Sequence, residues 1–143
     1  MNGPMKTALS TPAAPGAIGP YSQAVRAGRW LFLSGQIPLD PATGELVIGD
    51  IKVQTERVMQ NLSAVLAAGN CDLSAVVRTT IYLVDLAHFA QVNEVYGCYF
   101  KAPHPARSTI QVAALPRGAH VEIDAIAFIR RIARARKPGP KLR

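Results

Sequence analysis

The chain has 143 residues, 49% of them apolar, with 16 Lys and Arg against 9 Asp and Glu for a formal charge of +7. That length and composition fit one globular domain and exclude a disordered chain, and no apolar run approaches the ~18 residues of a membrane helix. Seven of the bases (Arg130, Arg131, Arg134, Arg136, Lys137, Lys141, Arg143) crowd into residues 130–143 without an acid, leaving nine bases against nine acids in residues 1–129. The expectation is a neutral single domain over residues 1–129 and a basic, flexible C-terminal tail over 130–143.

Residues 1–20 hold four Pro and one Lys, no Arg and no long apolar stretch. This start is read as irregular, not as a secretory signal or mitochondrial presequence, with one short strand inside residues 5–10. Tyr21–Arg26 and Arg29–Ser34 are β-prone and separated by Ala27-Gly28, the spacing of a tight hairpin. Residues 37–44 carry the turn chemistry of Pro38, Asp40-Pro41 and Thr43-Gly44, and Leu46–Ile48 suggests a short strand. Asp50 is placed to cap a helix. Ile51, Thr55, Val58, Leu62, Val65 and Leu66 then recur at steps of three and four until Gly69-Asn70 stops the pattern. Val76–Val84 reads as a largely buried strand. Asp85 is placed to cap a second helix with Phe89, Val92, Val95, Tyr96 and Tyr99 on one face, and Lys101–Pro105 ends it. Ala106–Ala113 and Ala119–Ile129 complete the strands. On the last, Val121, Ile123, Ala125, Ala127 and Ile129 share one face; His120, Glu122, Asp124, Ile126 and Phe128 share the other.

This order implies an α+β, two-layer fold: a mixed β-sheet with two helices on one face. The other face then meets water or a partner. Acids beside Ile126 and Phe128 suggest an oligomer interface with a polar cleft at its margin. Cys71 and Cys98 form no CxxC pattern, so a disulfide scaffold and a cysteine-rich zinc site find no support, and a cytoplasmic protein with reduced thiols is expected. The three histidines do not form a metal set. No GxGxxG or P-loop pattern is present.

Several segments in fixed order carry a resemblance: Ile18-Gly19-Pro20-Tyr21-Ser22-Gln23-Ala24-Val25, Leu33–Pro41, Gln54-Thr55-Glu56, Asn61-Leu62, Asn93-Glu94-Val95-Tyr96, Pro105-Ala106-Arg107-Ser108-Thr109 and Val121-Glu122-Ile123. Together, over nearly all of residues 5–129, they resemble the Rid (YjgF-type) family and its reactive-intermediate deaminase (RidA-like) branch. The resemblance implies a chorismate-mutase-like fold and a homotrimer with clefts between subunits. It also implies cofactor-free hydrolysis of 2-imino acids and their enamine tautomers, such as 2-aminoacrylate, to 2-keto acids and ammonia.

A 2-imino acid presents a carboxylate, an electrophilic carbon and a basic nitrogen. A guanidinium fork suits the carboxylate, and Arg107 matches the family's arginine; a surface ion pair is its plain alternative. Water delivered to the C=N carbon needs a base. Glu122 matches the family's acid, against the alternative of a solvated residue on an alternating strand. Tyr21 matches a polar contact near the reacting nitrogen, or is a packed aromatic. Ser34 and Gly35 match the segment that lines the pocket. Thr109, on the face of Arg107, and Asn93 are further substrate-binding candidates. Asp124 shares the face of Glu122 without an assigned catalytic role, and Arg78 is a weaker candidate. Tyr96 and Tyr99 read as core. His104 departs from the aromatic often found before the Pro-Ala-Arg segment, which bears on substrate size. No metal and no cofactor is expected.

Two other readings stay open. One is RNA binding or translation inhibition through the basic tail, although aromatic stacking platforms are not evident beside the basic residues. The other is a non-catalytic regulator that binds small ligands in its clefts.

Overall fold

A computed structural model describes residues 5–130; the expectation of a flexible tail falls on 131–143, outside the described residues. Six strands form one sheet: β1 (Thr7–Leu9), β2 (Ala24–Ala27), β3 (Trp30–Gln36), β4 (Val76–Leu83), β5 (Ala106–Gln111) and β6 (Val121–Phe128). Two α-helices, α1 (Ile51–Ala68) and α2 (Phe89–Gly97), join them. The spatial order is β1-β2-β3-β6-β4-β5. Every pair is antiparallel except β4 and β5. A parallel pair needs a crossover, and α2 supplies it.

Helix α1 forms where its pattern says it should. The Asp50 carboxylate accepts from the Val53 amide at 3.0 Å, supplying a cap to an otherwise orphaned donor. Its buried residues Ile51, Thr55, Val58, Met59, Leu62, Val65 and Leu66 follow the three–four spacing and face the sheet. Gly69 follows the last turn and Asn70 takes φ 58°, a left-handed conformation that no helix continues through. From the sheet, Leu31, Ile81, Leu83, Val121 and Ile123 are completely buried against this layer. Each such side chain contributes about 1.5–3 kcal/mol relative to exposure.

The parity of β6 decides which residues face the core. Val121, Ile123, Ala125 and Ala127 are buried, while Glu122, Asp124 and Ile126 are half-buried and Phe128 is exposed on the opposite, helix-free face. Trp30 and Phe32, each 45% exposed, lie on that open face beside Phe128 and Ile126, their register partners.

Four details differ from the sequence expectation. Leu46–Ile48 is not a strand: a single bridge joins Leu46 to Leu39, and Ile48 is fully exposed, because no neighbouring strand extends the pairing. The Asp85 carboxylate accepts from the Ala87 amide at 2.9 Å and caps a 3₁₀ turn, Leu86–His88; α2 starts only at Phe89, without a side-chain cap. The hairpin turn falls one residue later, since Ala27 pairs Trp30 and leaves Gly28-Arg29 as the loop, with Gly28 at φ 62°. Aromatics do lie beside cations: the Arg29 guanidinium sits 4.5 Å from the Phe128 ring centroid, and Phe128 packs at a tilt against Trp30, centroids 4.7 Å apart. That cluster arises from β3–β6 pairing across about a hundred residues, which no local pattern displays.

Among the described residues, no helix is long and apolar enough to cross a membrane.

Candidate active site

The named residues fall into two groups, one on each face of the sheet. The first surrounds Glu122. Between Leu33 and Gln36 the β3–β6 register shifts, a bulge that takes Ser34 and Gly35 out of the regular pleat. Glu122 lies across this bulge. A Cβ added to Gly35 would stand 2.9 Å from Glu122 Cδ and 3.1 Å from its Oε1, so the missing side chain leaves the carboxylate room to stand where it does. A cleft of about 300 Å³ opens here, lined by Tyr21, Gly35, Gln36, Arg117 and Glu122 with an apolar wall that includes Ile18, Ile37 and Leu39.

Two buried amides build that wall. Gln23 is 4% exposed. Its Oε1 accepts from the Thr11 amide at 2.7 Å, and its Nε2 donates to the carbonyls of Thr11, Ala14 and Pro15. It thereby ties the irregular arm against β2. Asn61 of α1, completely buried, donates to the Leu39 carbonyl at 2.9 Å and fixes the loop after β3. Tyr21 is 53% exposed, and its hydroxyl accepts from the Ile18 amide at 3.3 Å. The Ser34 hydroxyl donates to the Ser22 carbonyl at 2.5 Å, so what it offers a ligand is a lone pair.

Burial raises the Glu122 carboxyl above the usual carboxylate range, and the charge of Asp124 adds to the effect. A half-buried carboxylate so perturbed is a better proton acceptor than an ordinary glutamate.

The second group surrounds Arg107 on the helix-bearing face. Arg107 pairs in register with Thr79, which is buried and hydrogen-bonded to the Tyr96 hydroxyl of α2 at 2.8 Å. The guanidinium carbon lies 5.0 Å from the Tyr96 ring centroid and 5.6 Å from that of Phe89, a cation–π cradle that orients the fork. Among the described residues the salt bridge found is Lys52–Glu94; Arg107 has no carboxylate partner there. A cleft of about 350 Å³ at this point is lined by Asn93, Tyr96, Gly97, His104, Pro105 and Arg107. Thr109, two residues on, shares the Arg107 face. Thr109 Oγ1 and Asn93 Oδ1 are buried without a hydrogen-bond partner among the described residues, and buried polar atoms in that condition are uncommon.

Within one chain, therefore, Arg107, Asn93 and Thr109 are not brought together with Glu122, Tyr21, Ser34 and Gly35. The sheet lies between them. Arg78 is on the open face but hydrogen-bonds Ser108 at 2.9 Å. Tyr96 belongs to the core as expected and also cradles Arg107. Tyr99 bonds to Glu56. Gln23, Asn61, Tyr82, Phe89 and Arg117 are not among the site candidates from sequence; what the buried amides do becomes visible only when their carbonyl partners are located. No group of three or more His, Cys, Asp or Glu gathers among the described residues as a metal site would require.

Comparison with known proteins gives the same fold. The family model described as Endoribonuclease L-PSP matches residues 11–129. Protein DfrA of Myxococcus xanthus is 64% identical over 85% of this chain and 95% of its own. The 2-iminobutanoate/2-iminopropanoate deaminase of Mus musculus is 48% identical over 89% of this chain and 94% of its own. The crystal structure of Escherichia coli TdcF with bound serine superposes with a TM-score of 0.83 at 40% identity, covering 87% of this chain and 99% of that one. With the family model matched along most of its length and relatives at this level of identity, the chain belongs to the Endoribonuclease L-PSP family, the YjgF/Rid proteins.

Proposed function

We propose that this chain is a reactive-intermediate deaminase. It hydrolyses 2-imino acids and their enamine tautomers to 2-keto acids and ammonia, in a homotrimer where the Arg107 group of one subunit closes on the Glu122 group of the next. The observation that carries this reading is the separation of two complementary half-sites by the sheet of a single chain. One holds a cation without a carboxylate partner beside orphaned polar atoms. The other holds a carboxylate with elevated proton affinity. Neither is sufficient alone. Exposed Trp30, Phe32, Ile110 and Phe128 give the open sheet face the apolar character of a subunit contact. The deaminases among the relatives act on this substrate class, and TdcF holds serine, an amino acid with the same carboxylate headgroup.

The chemistry follows from the groups present. Arg107 takes the substrate carboxylate with two parallel charge-assisted hydrogen bonds, leaving Asn93 and Thr109 for the remaining polar atoms. Glu122 accepts a proton from water as its oxygen adds to the C=N carbon of the protonated imine, forming a neutral tetrahedral amino alcohol. That proton then passes to nitrogen, and as ammonia leaves, Glu122 takes the hydroxyl proton so that the keto acid forms. The Tyr21 hydroxyl, at the same cleft, hydrogen-bonds the nitrogen or the water. Free Cys71 and Cys98 accord with a cytoplasmic setting.

Subunit complementation tests the shared site. Arg107→Ala and Glu122→Gln each abolish most keto-acid release from dehydratase-generated 2-aminoacrylate. Random reassembly of equal amounts restores about a quarter of the wild-type sites, because each interface takes one group from each neighbour. Mixed trimers as inactive as their parents overturn the intersubunit site.

A second reading has one observation in its favour. The Arg29–Phe128–Trp30 cluster ends two residues before Arg130, where the basic tail begins, and exposed aromatics beside cations suit single-stranded RNA.

A further inference from the structure

Glu122 and Asp124 stand two residues apart on the same face of β6. Two carboxylates so placed oppose each other's ionisation, and whichever gains the better hydrogen bond keeps its charge. Tyr82 of β4 decides between them. Its register partner is Glu122, yet its hydroxyl reaches two positions along the ladder, to the next residue on the same face, and donates to Asp124 Oδ2 at 2.9 Å. Glu122 receives no side-chain hydrogen bond among the described residues.

We propose that Tyr82 is a positioning residue for the deaminase: its hydrogen bond fixes the Asp124 carboxylate beside Glu122, so that the exchangeable proton of the pair resides on Glu122, at the Gly35 cleft. The catalytic consequence rests on the function proposed above; the division of labour between the carboxylates does not. None of the charged groups around Glu122 hydrogen-bonds its carboxylate among the described residues. Arg117, a cation at the same cleft, directs its guanidinium to the Gly44 carbonyl at 2.7 Å. Tyr21 accepts from the arm backbone, Arg78 bonds Ser108, and Ser34 and Gly35 of β3 are not titratable. His120, on the Glu122 side of β6, is exposed. The Tyr82 phenol is itself raised, first by the bond to Asp124, and so remains a donor throughout the working pH range.

Carboxyl ¹³C-labelled glutamate provides the test, since the chain has only Glu45, Glu56, Glu94 and Glu122 and Glu122→Gln assigns the signal. In Asp124→Asn the Glu122 midpoint moves down toward the ordinary glutamate range. In Tyr82→Phe it moves down by a smaller amount, because the Asp124 carboxylate is then free to turn away from Glu122. Added to Asp124→Asn, Tyr82→Phe produces no further displacement. An unmoved midpoint in Tyr82→Phe, or equal displacements in both backgrounds, overturns the proposal. The readout is a titration of the resting protein, so it stands or falls independently of complementation. A displaced acidic limb of kcat/KM in the same variants links it to turnover; a merely structural Tyr82 would lower kcat and leave the limb in place.

Discussion

Replacing Gly35 by alanine tests whether the rate depends on where Glu122 stands. The new Cβ meets Glu122 Cδ at 2.9 Å and Cγ at 3.0 Å, where ordinary contact begins at 3.4 Å. The atoms in the way belong to the end of a flexible side chain, so the carboxylate retreats by about half an ångström or more while the backbone stays. Gly35 does not occupy the left-handed region, so alanine brings no backbone strain there. Misplacement of a reacting group by ~1 Å costs on the order of 10²-fold, so kcat/KM falls roughly 10- to 100-fold, about 1.4–2.7 kcal/mol of transition-state stabilisation. Gly28→Ala is the matched control. Its added Cβ touches nothing, but its φ of 62° puts alanine in the left-handed region at a cost of about 1 kcal/mol. Thermal melts with keto-acid release measured on both variants should give opposite results: Gly35→Ala stable and slow, Gly28→Ala less stable and active. Wild-type turnover in Gly35→Ala would refute the claim that the cleft is built to place this carboxylate.

Glu122 also leaves a mark on stability. Its raised folded-state affinity for a proton means that burying the charge opposes folding above the folded-state midpoint, and that the penalty disappears below the ordinary glutamate range. Glu122→Gln should therefore melt higher than wild type at pH 7, with the difference vanishing as pH falls through that window; identical melting curves at neutral pH would count against a desolvated Glu122. Removing residues 131–143 should leave keto-acid release unchanged while abolishing salt-sensitive retention of single-stranded RNA. Equal retention by the shortened chain would locate RNA binding on the body instead.

The elements were legible because their signals are local. Asp50 as a cap, the three–four spacing of α1 and the period-two alternation of β6 each need only neighbours in sequence. Alternation even placed Glu122 and Asp124 on one face. It could not place Arg107 relative to them, since parity fixes which residues of a strand share a face but not which face of the sheet that is. The answer depends on β6 lying between β3 and β4, and on β5 adding parallel to β4, which are facts of long-range pairing. The same limit hid Tyr82, whose role appears only in the β4–β6 register. Leu46–Ile48 shows the converse: apolar residues without an available partner strand remain loop.

The charge pattern then gains a physical sense. A body with balanced charge has little long-range field to draw in a small anion, so capture of a 2-imino acid depends on local groups. In the proposed site Arg107 answers that need: its cation rests on Tyr96 and Phe89 with no carboxylate partner among the described residues. Placing Glu122 on the far side of the sheet keeps the two from pairing within the chain, where an ion pair would consume both functions. In the intersubunit site proposed above, the two would meet only across a bound substrate, whose carboxylate satisfies the guanidinium. On that proposal the split site protects its own reactivity: the single chain holds a cation and a base that cannot quench each other, and assembly turns them toward one ligand.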